Sequence, residues 1–225
     1  MIFPNFQRQV IPMQRRYRIF GTIVIIAGML LAAVPLARWG ISSYHQRQAL
    51  AAWEDEIHKP TLEEEPETVP ASPVPQAEQE LPTGLPDDDG LLEIPKINLR
   101  AVVIHGVTEG DLKLGPGFYP QSKYPECGNV SIAAHRGVYG SWFRHVDRLK
   151  PGDEITLTID GKIYRYTVRE SFITHSRDWS VVESTDIAEL TLTTCLFTTT
   201  TKRLIVKADL AETDVVINPQ QYKIE

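Results

Sequence analysis

Hydrophobic and polar positions fall into three regimes along the chain, and each predicts a different structure. Residues 19–37 form a run of nineteen without a formal charge, close to the ~20 that a helix needs to cross the hydrocarbon core of a bilayer. Pro35 falls in the last turn of this run, where proline can kink a helix. Residues 41–57 keep a helical composition, with Ala49, Ala51 and Ala52, so the helix is expected to continue. Residues 59–90 then combine seven prolines with many acidic residues and few large apolar groups. Such a segment buries too little surface to offset its ordering entropy. It reads as an extended stalk that holds the folded part off the membrane.

Beyond Leu91 the pattern changes to short apolar runs separated by glycine and proline, which predicts a mainly β domain over residues 91–225, either a barrel or a sandwich. Ile155, Leu157 and Ile159 alternate with polar residues, Asp160-Gly161 follows, and residues 163–168 return. An Asp-Gly pair between two such runs is the chemistry of a tight hairpin. A second hairpin joins Thr191-Leu192-Thr193-Thr194-Cys195 to Arg203-Leu204-Ile205-Val206, both rich in β-branched and aliphatic residues. If it closes symmetrically about Thr199, Cys195 faces Arg203 with Cβ atoms roughly 5 Å apart. Helices in this domain should be few and short, around residues 142–149 and 184–188.

Charge sharpens the division. Residues 1–53 carry six basic and no acidic residues, residues 54–90 one basic and twelve acidic, and residues 91–225 sixteen and seventeen. The net charge of −6 thus averages a basic start and an acidic stalk. The folded part is nearly neutral and lacks the basic face of a nucleic-acid binder. Arg8, Arg15, Arg16 and Arg18 precede the apolar run and only Arg38 follows closely. The positive-inside rule therefore keeps residues 1–18 in the cytoplasm and sends the rest outside, with residues 19–37 as a single-pass anchor. A cleavable signal peptide competes, but its apolar region spans only ~7–15 residues, and the length here favours the anchor.

Candidate chemistry gathers on three residues. Val130-Ser131-Ile132-Ala133-Ala134 is another strand-like run, and it ends at His135-Arg136-Gly137, where scaffolds present functional groups. Cysteine, histidine and arginine are nucleophile, general acid/base and oxyanion or substrate clamp for acyl transfer through a thioester. Taken singly, each has a plainer reading: a strand cysteine is more often a small buried hydrophobe, and a strand arginine more often a solvated surface residue. No helix terminus would reach Cys195 in a strand, so only His135 and Arg203 could activate it. His45, His58, His105, His145 and His175 stand without metal-ligand spacing, and His145 is the one plausible substitute base. Cys127 lies eight residues before His135, with five or more of them extended at ~3.3 Å each. That places it too far from Cys195 for a disulfide, whose Cα atoms must lie within ~7 Å. Two free thiols, no structural zinc site and no cofactor are expected.

These residues resemble the signature of the sortases, membrane-anchored cysteine transpeptidases of Gram-positive bacteria. Residues 191–195 match their Thr-Leu-x-Thr-Cys, Arg203 their following arginine, and Ala133-Ala134-His135-Arg136-Gly137 their histidine. The resemblance covers about residues 92–210, through Glu93-Ile94-Pro95, Gly115-Pro116-Gly117 and Leu149-Lys150-Pro151-Gly152-Asp153. The stretch Gly115-Pro116-Gly117-Phe118-Tyr119-Pro120, with no C-terminal membrane segment, is most similar to class D members. Phe197 departs from the pattern, since many relatives carry a proline near the cysteine.

The resemblance implies an eight-stranded β-barrel in which Cys195 attacks a threonine carbonyl in a Leu-Pro-x-Thr-Gly-like sorting signal. His135 would protonate the leaving amine, and Arg203 would hold the substrate backbone or the oxyanion. The partners implied are surface proteins carrying such signals and an amine acceptor, lipid II or a pilin. The loop over residues 171–189 would wall the substrate groove, with Trp179, Val181, Val182 and Thr194 as substrate contacts. Trp179, Val181 and Val182 equally suit a satellite core beneath the loop. No calcium-site cluster stands out. Leu81-Pro82-Thr83-Gly84 looks like a sorting motif one residue short, and as a pseudosubstrate it would be out of register. L,D-transpeptidases also pair a cysteine with a histidine, but in a Ser-x-Gly-Cys type motif, unlike Thr193-Thr194-Cys195. A non-enzymatic membrane-anchored binding module with a buried Cys195 is the alternative of another class, and an unreactive thiol would mark it.

Overall fold

The computed structural model describes residues 10–57, 84–86 and 88–215. The alternation that begins near Leu91 builds eight strands: β1 (Gly90–Ile94), β2 (Leu99–His105), β3 (Gly117–Phe118), β4 (Asn129–Ala133), β5 (Glu154–Ile159), β6 (Lys162–His175), β7 (Glu189–Cys195) and β8 (Lys202–Val215). They close into a barrel in the order β1-β2-β3-β4-β7-β8-β6-β5. Alternate side chains point inward, and Leu92, Ile94, Val130, Ile132, Leu157, Leu190, Leu192 and Val206 fill the interior. Eight strands leave an interior only wide enough for side chains, so the core is solid and chemistry is confined to the rim.

The β5–β6 hairpin closes on Asp160-Gly161 as the sequence predicts, with Ile159 paired to Lys162 and φ of +52° and +65° at the two turn residues, the left-handed pair of a type I′ turn. Most neighbours are antiparallel, but the short β2–β3 pair and the β4–β7 pair run parallel, the latter with Ala133 opposite Thr193. The β4–β7 pair governs the site. It sends the residues following both strands out of the same end of the barrel.

One helix, α1 (Val10–Ile57), contains the apolar run and continues beyond it with Pro35 inside. It is long and apolar enough to cross a membrane by length and composition. Residues such as Leu30, Leu31 and Leu36 are exposed on it, whereas the polar Ser42 and Gln46 are buried against the barrel. Gln46 lies nine residues past Ala37, about 13 Å along a helix. The part of α1 beyond the apolar run thus docks directly on the barrel through Gln46 and Val102. The expected stalk falls largely on residues 58–83 and 87, outside the described residues, as do Leu81, Pro82 and Thr83 of the shortened motif.

Short helical segments depart from expectation. Residues 142–149 hold only a 3-10 turn at Val146–Arg148. Residues 184–188 hold no helix, because Ile187, their large apolar side chain, stays exposed and leaves no face to pack. The 3-10 turn of that loop lies earlier, at Ser180–Val182. A helix not anticipated, α2 (Glu109–Leu114), starts at a reciprocal Thr108/Asp111 capping box, the local signal that specifies it.

Candidate active site

The parallel pairing of β4 and β7 is fastened one step before each reactive residue. The Ala134 N–H donates to the Thr193 carbonyl at 3.2 Å, and the Thr194 hydroxyl donates to the Ala134 carbonyl at 2.7 Å. His135 and Cys195 follow immediately, so they leave adjacent strands at the same rim. On the other side of β7, the β7–β8 register pairs Cys195 with Arg203. Three strands thus bring thiol, imidazole and guanidinium to one end of the barrel.

His135 is partly buried, and its Nε2 has no partner among the described residues. Burial holds its pKa below the ordinary imidazole value; Glu109 opposes that shift and Lys113 adds to it. Burial therefore favours the neutral ring, with Nε2 open, the form a general base needs. Cys195 is a free, partly buried thiol. Arg203 Nη1 donates to the Thr200 carbonyl at 2.9 Å and the Lys202 carbonyl at 3.3 Å. A guanidinium has five N–H donors, so these bonds orient it and leave donors for an incoming group. Arg203 forms no ion pair among the described residues.

Several residues that hold this arrangement were not singled out from the sequence. Arg136 is buried; its Nη2 lies 2.9 Å from Asp147, its Nε donates to the Arg144 carbonyl at 3.4 Å, and its guanidinium covers the Phe197 ring at 4.5 Å. It thereby ties the loop after His135 to the loop after Cys195. Phe197 is exposed, and a Cβ on Gly137 would sit 3.3 Å from its ring. The departure at Phe197 thus has a use, as an aromatic platform between the two loops. Tyr139, in the left-handed region at φ +53°, places its ring 5.2 Å from that of His135. Adjacency to His135 marked Arg136 in the sequence; nothing local marked Tyr139.

The expected substrate contacts separate. Thr194 is 3% exposed and its hydroxyl is committed to Ala134, so it fastens the strands. Val182 is 2% exposed and packs inside, while Trp179 is 60% exposed. Val181 is partly buried. The Asn129 amide donates to the Val181 and Glu183 carbonyls at 3.4 and 3.1 Å, which anchors this turn at the start of β4, the end opposite His135. Cys127 is also near that end, free and partly buried.

A closed eight-stranded barrel with cysteine and histidine at the end of a parallel strand pair, and arginine in register with the cysteine, defines a β-barrel protein with a thiol–imidazole site. The chain belongs to the sortase family, whose domain model matches residues 92–211. It is 34% identical over 108 residues to Sortase D of Bacillus subtilis, covering 47% of this chain and 53% of that one. It is 29% identical over 136 residues to Sortase A of Listeria monocytogenes, covering 60% and 61%. Among solved structures it is similar to a Sortase D5 transpeptidase of Clostridium perfringens, with TM-score 0.51 at 33% identity, covering 59% of this chain and 83% of that one. It is also similar to sortase E of Streptomyces avermitilis, with TM-score 0.53 at 29% identity, covering 64% and 97%. The matches to the two curated relatives span only about half to three-fifths of their length.

Proposed function

We propose that this chain is a membrane-anchored cysteine transpeptidase that cleaves a Leu-Pro-x-Thr-Gly-like sorting signal after threonine and passes the acyl group to an amine. The observation that carries the reading is the convergence of His135 and Cys195 from in-register parallel strands with Arg203 opposite the cysteine. Cys195 Sγ attacks the threonine carbonyl while its proton passes to the neutral His135. The Arg203 guanidinium stabilises the tetrahedral oxyanion, a role worth a few kcal/mol where such donors have been removed. Collapse breaks the C–N bond, His135 returns its proton to the leaving amine, and a thioester remains on Cys195. An acceptor amine then attacks the thioester, giving its proton to His135, and the thiolate leaves and is reprotonated.

The acceptor in this reading is a cell-wall precursor amine such as that of lipid II, or a pilin lysine, and the donors are surface proteins bearing the signal. Trp179 is the exposed member of the loop that would wall the groove. Residues 19–37 anchor the chain with its N-terminus in the cytoplasm and its barrel outside, supported by the exposed apolar face of α1 and by Arg8, Arg15, Arg16 and Arg18 before the apolar run. The test is a panel of Leu-Pro-x-Thr-Gly and Leu-Pro-x-Thr-Ala peptides with an amine acceptor, followed by mass spectrometry. An amine-linked product cut after threonine, absent with Cys195→Ala, supports the reading. Failure of every peptide, together with a Cys195 that resists alkylation in the folded protein, would leave the anchored binding module in its place.

A further inference from the structure

The part of α1 beyond the apolar run is seated in the barrel by a buried amide. Ser42 and Gln46 lie one turn apart on the same helical face and are 0% and 3% exposed, an unusual burial for polar side chains on a helix. The Gln46 carboxamide makes a two-point pairing with one residue of β2: its Oε1 accepts the Val102 N–H at 3.0 Å and its Nε2 donates to the Val102 carbonyl at 3.0 Å. Val102 is opposite Leu91 of β1, and its bonds to Gln46 show that its peptide groups point away from that strand. On the other side β2 pairs with β3 only at Ile104 and His105. Gln46 therefore fills a gap in the sheet edge, doing with an amide what a neighbouring strand's peptide group does.

The same Nε2 donates to the Leu114 carbonyl at 3.3 Å, one of the carbonyls that the end of α2 leaves without a helical partner. Gly115 makes room for this: a Cβ there would lie 2.1 Å from Gln46 Nε2 and 3.2 Å from the Val102 carbonyl oxygen. Its backbone is extended, at φ −172°, so space and not conformation calls for glycine. A second tie joins Arg100 of β2 to Glu54 of α1 at 2.8 Å.

From α2 the contacts run to the catalytic rim. Lys113 is paired with Glu109 at 2.8 Å and places its Nζ 5.7 Å from the centre of the Tyr139 ring, and Tyr139 packs on His135 at 5.2 Å. We propose that Gln46 is a positioning residue: it latches the extramembrane half of α1 into the open edge of β2, and the latch, acting through α2 and Tyr139, fixes the imidazole of His135. The proposal rests on the acid/base role given to His135 above. It makes the anchoring helix a working part of the catalytic domain, so a fragment that begins after Ile57 lacks one of the supports of its own histidine.

The charged groups that act on His135 are Glu109 and Lys113 from α2, with the Tyr139 ring of its own loop against the imidazole; Arg38 of α1 acts on Glu109, and Cys195 and Arg203 end β7 and begin β8 at the same rim. Loosening α2 opens His135 to water, and relief of burial moves its protonation up toward the ordinary imidazole value. The experiment uses the full chain in detergent micelles, comparing wild type with Gln46→Ala, Gly115→Ala and the double variant. Peptide turnover and alkylation of Cys195 by iodoacetamide are each followed against pH, with Cys195 resolved from Cys127 by peptide mapping. The latch predicts that Gln46→Ala lowers kcat about tenfold, a misplacement effect, with little change in KM, and that its acid limb moves to higher pH. Gly115→Ala should do the same, and the double variant should be no worse than either single one, the non-additivity of residues sharing one contact. Variants that merely melt earlier, with wild-type kcat and an unmoved acid limb, would overturn the proposal while leaving the transpeptidase reading intact. A wild type that turns over no peptide would count against that reading, and the alkylation profile would still decide the latch.

Discussion

At the end of the β4–β7 pair where the strands begin, the buried Asn129, Thr191 and Glu189 side chains are matched. The Thr191 hydroxyl donates to Asn129 Oδ1 at 2.8 Å, the Asn129 amide holds two loop carbonyls, and the buried Glu189 receives Lys207 at 2.7 Å and Arg169 at 3.0 Å. Where the same strands end, groups are left open. His135 Nε2 has no partner among the described residues, Cys195 is a free thiol, and Arg203 bonds among the described residues only to the Thr200 and Lys202 carbonyls. Buried polar groups are costly unless paired, so the matched end holds the barrel together and the open end is where a substrate can supply the missing partners. Stability and chemistry are thus separated along one pair of strands, and substitutions at the two ends should read out differently.

Removing the nucleophile is the severest test of the open end. Cys195→Ala should abolish turnover and adduct formation while leaving the urea midpoint close to wild type. Arg203→Lys keeps the charge but loses the planar fork; it should lower kcat/KM about 10²–10³-fold, the range for loss of an oxyanion donor, again with little change in stability. At the matched end the pattern reverses. Glu189→Ala leaves Lys207 without an ion-pair partner among the described residues, while Arg169 keeps Asp209 and Glu170, and should cost about 3 kcal/mol in denaturant titration, with Cys195 alkylation unchanged per folded molecule. Thr194→Val lies between the two regimes: loss of one buried hydrogen bond should cost about 1 kcal/mol and slow turnover several-fold, because that bond fastens the steps before both reactive residues.

The smallest effect concerns pH. Burial depresses the His135 pKa, so the acid limb of kcat/KM should fall below the ordinary imidazole value. Lys113→Met should raise it, by removing a cation that disfavours protonation, and Glu109→Gln should lower it further. The stability consequence has the matching sign. As pH falls through the ordinary imidazole value, the unfolded chain takes the proton first. The folded state therefore loses stability below that pH and nothing above it. A melting curve that was flat across this window would show that His135 is not shielded from solvent.

How much of this was legible depends on how local the signal is. The β5–β6 hairpin and the Cys195–Arg203 register could be read because alternation, an Asp-Gly pair and a symmetric closure all lie within a few residues of each other. The meeting of His135 with Cys195 rests on a parallel pairing between segments about sixty residues apart, and no spacing rule specifies it; only the family resemblance joined them. Gln46 was illegible for a different reason: a glutamine in a polar helical stretch carries no mark of burial, and the gap it fills in β2 exists only after the barrel closes. Val182 follows the satellite-core alternative, and Thr194 is committed to the strand pair. Both sit beside the expected groove in sequence, but packing and a main-chain bond claim them first.

The most direct test of the central claim is the intact mass of the full chain after brief incubation with a Leu-Pro-x-Thr-Gly peptide and acid quenching, without an acceptor amine. A gain equal to the peptide fragment ending at threonine, mapped to Cys195, lost on adding an amine and absent in Cys195→Ala, is the result predicted. An unchanged mass with Cys195 resistant to alkylation in folded protein, or an adduct on any other residue, would contradict it.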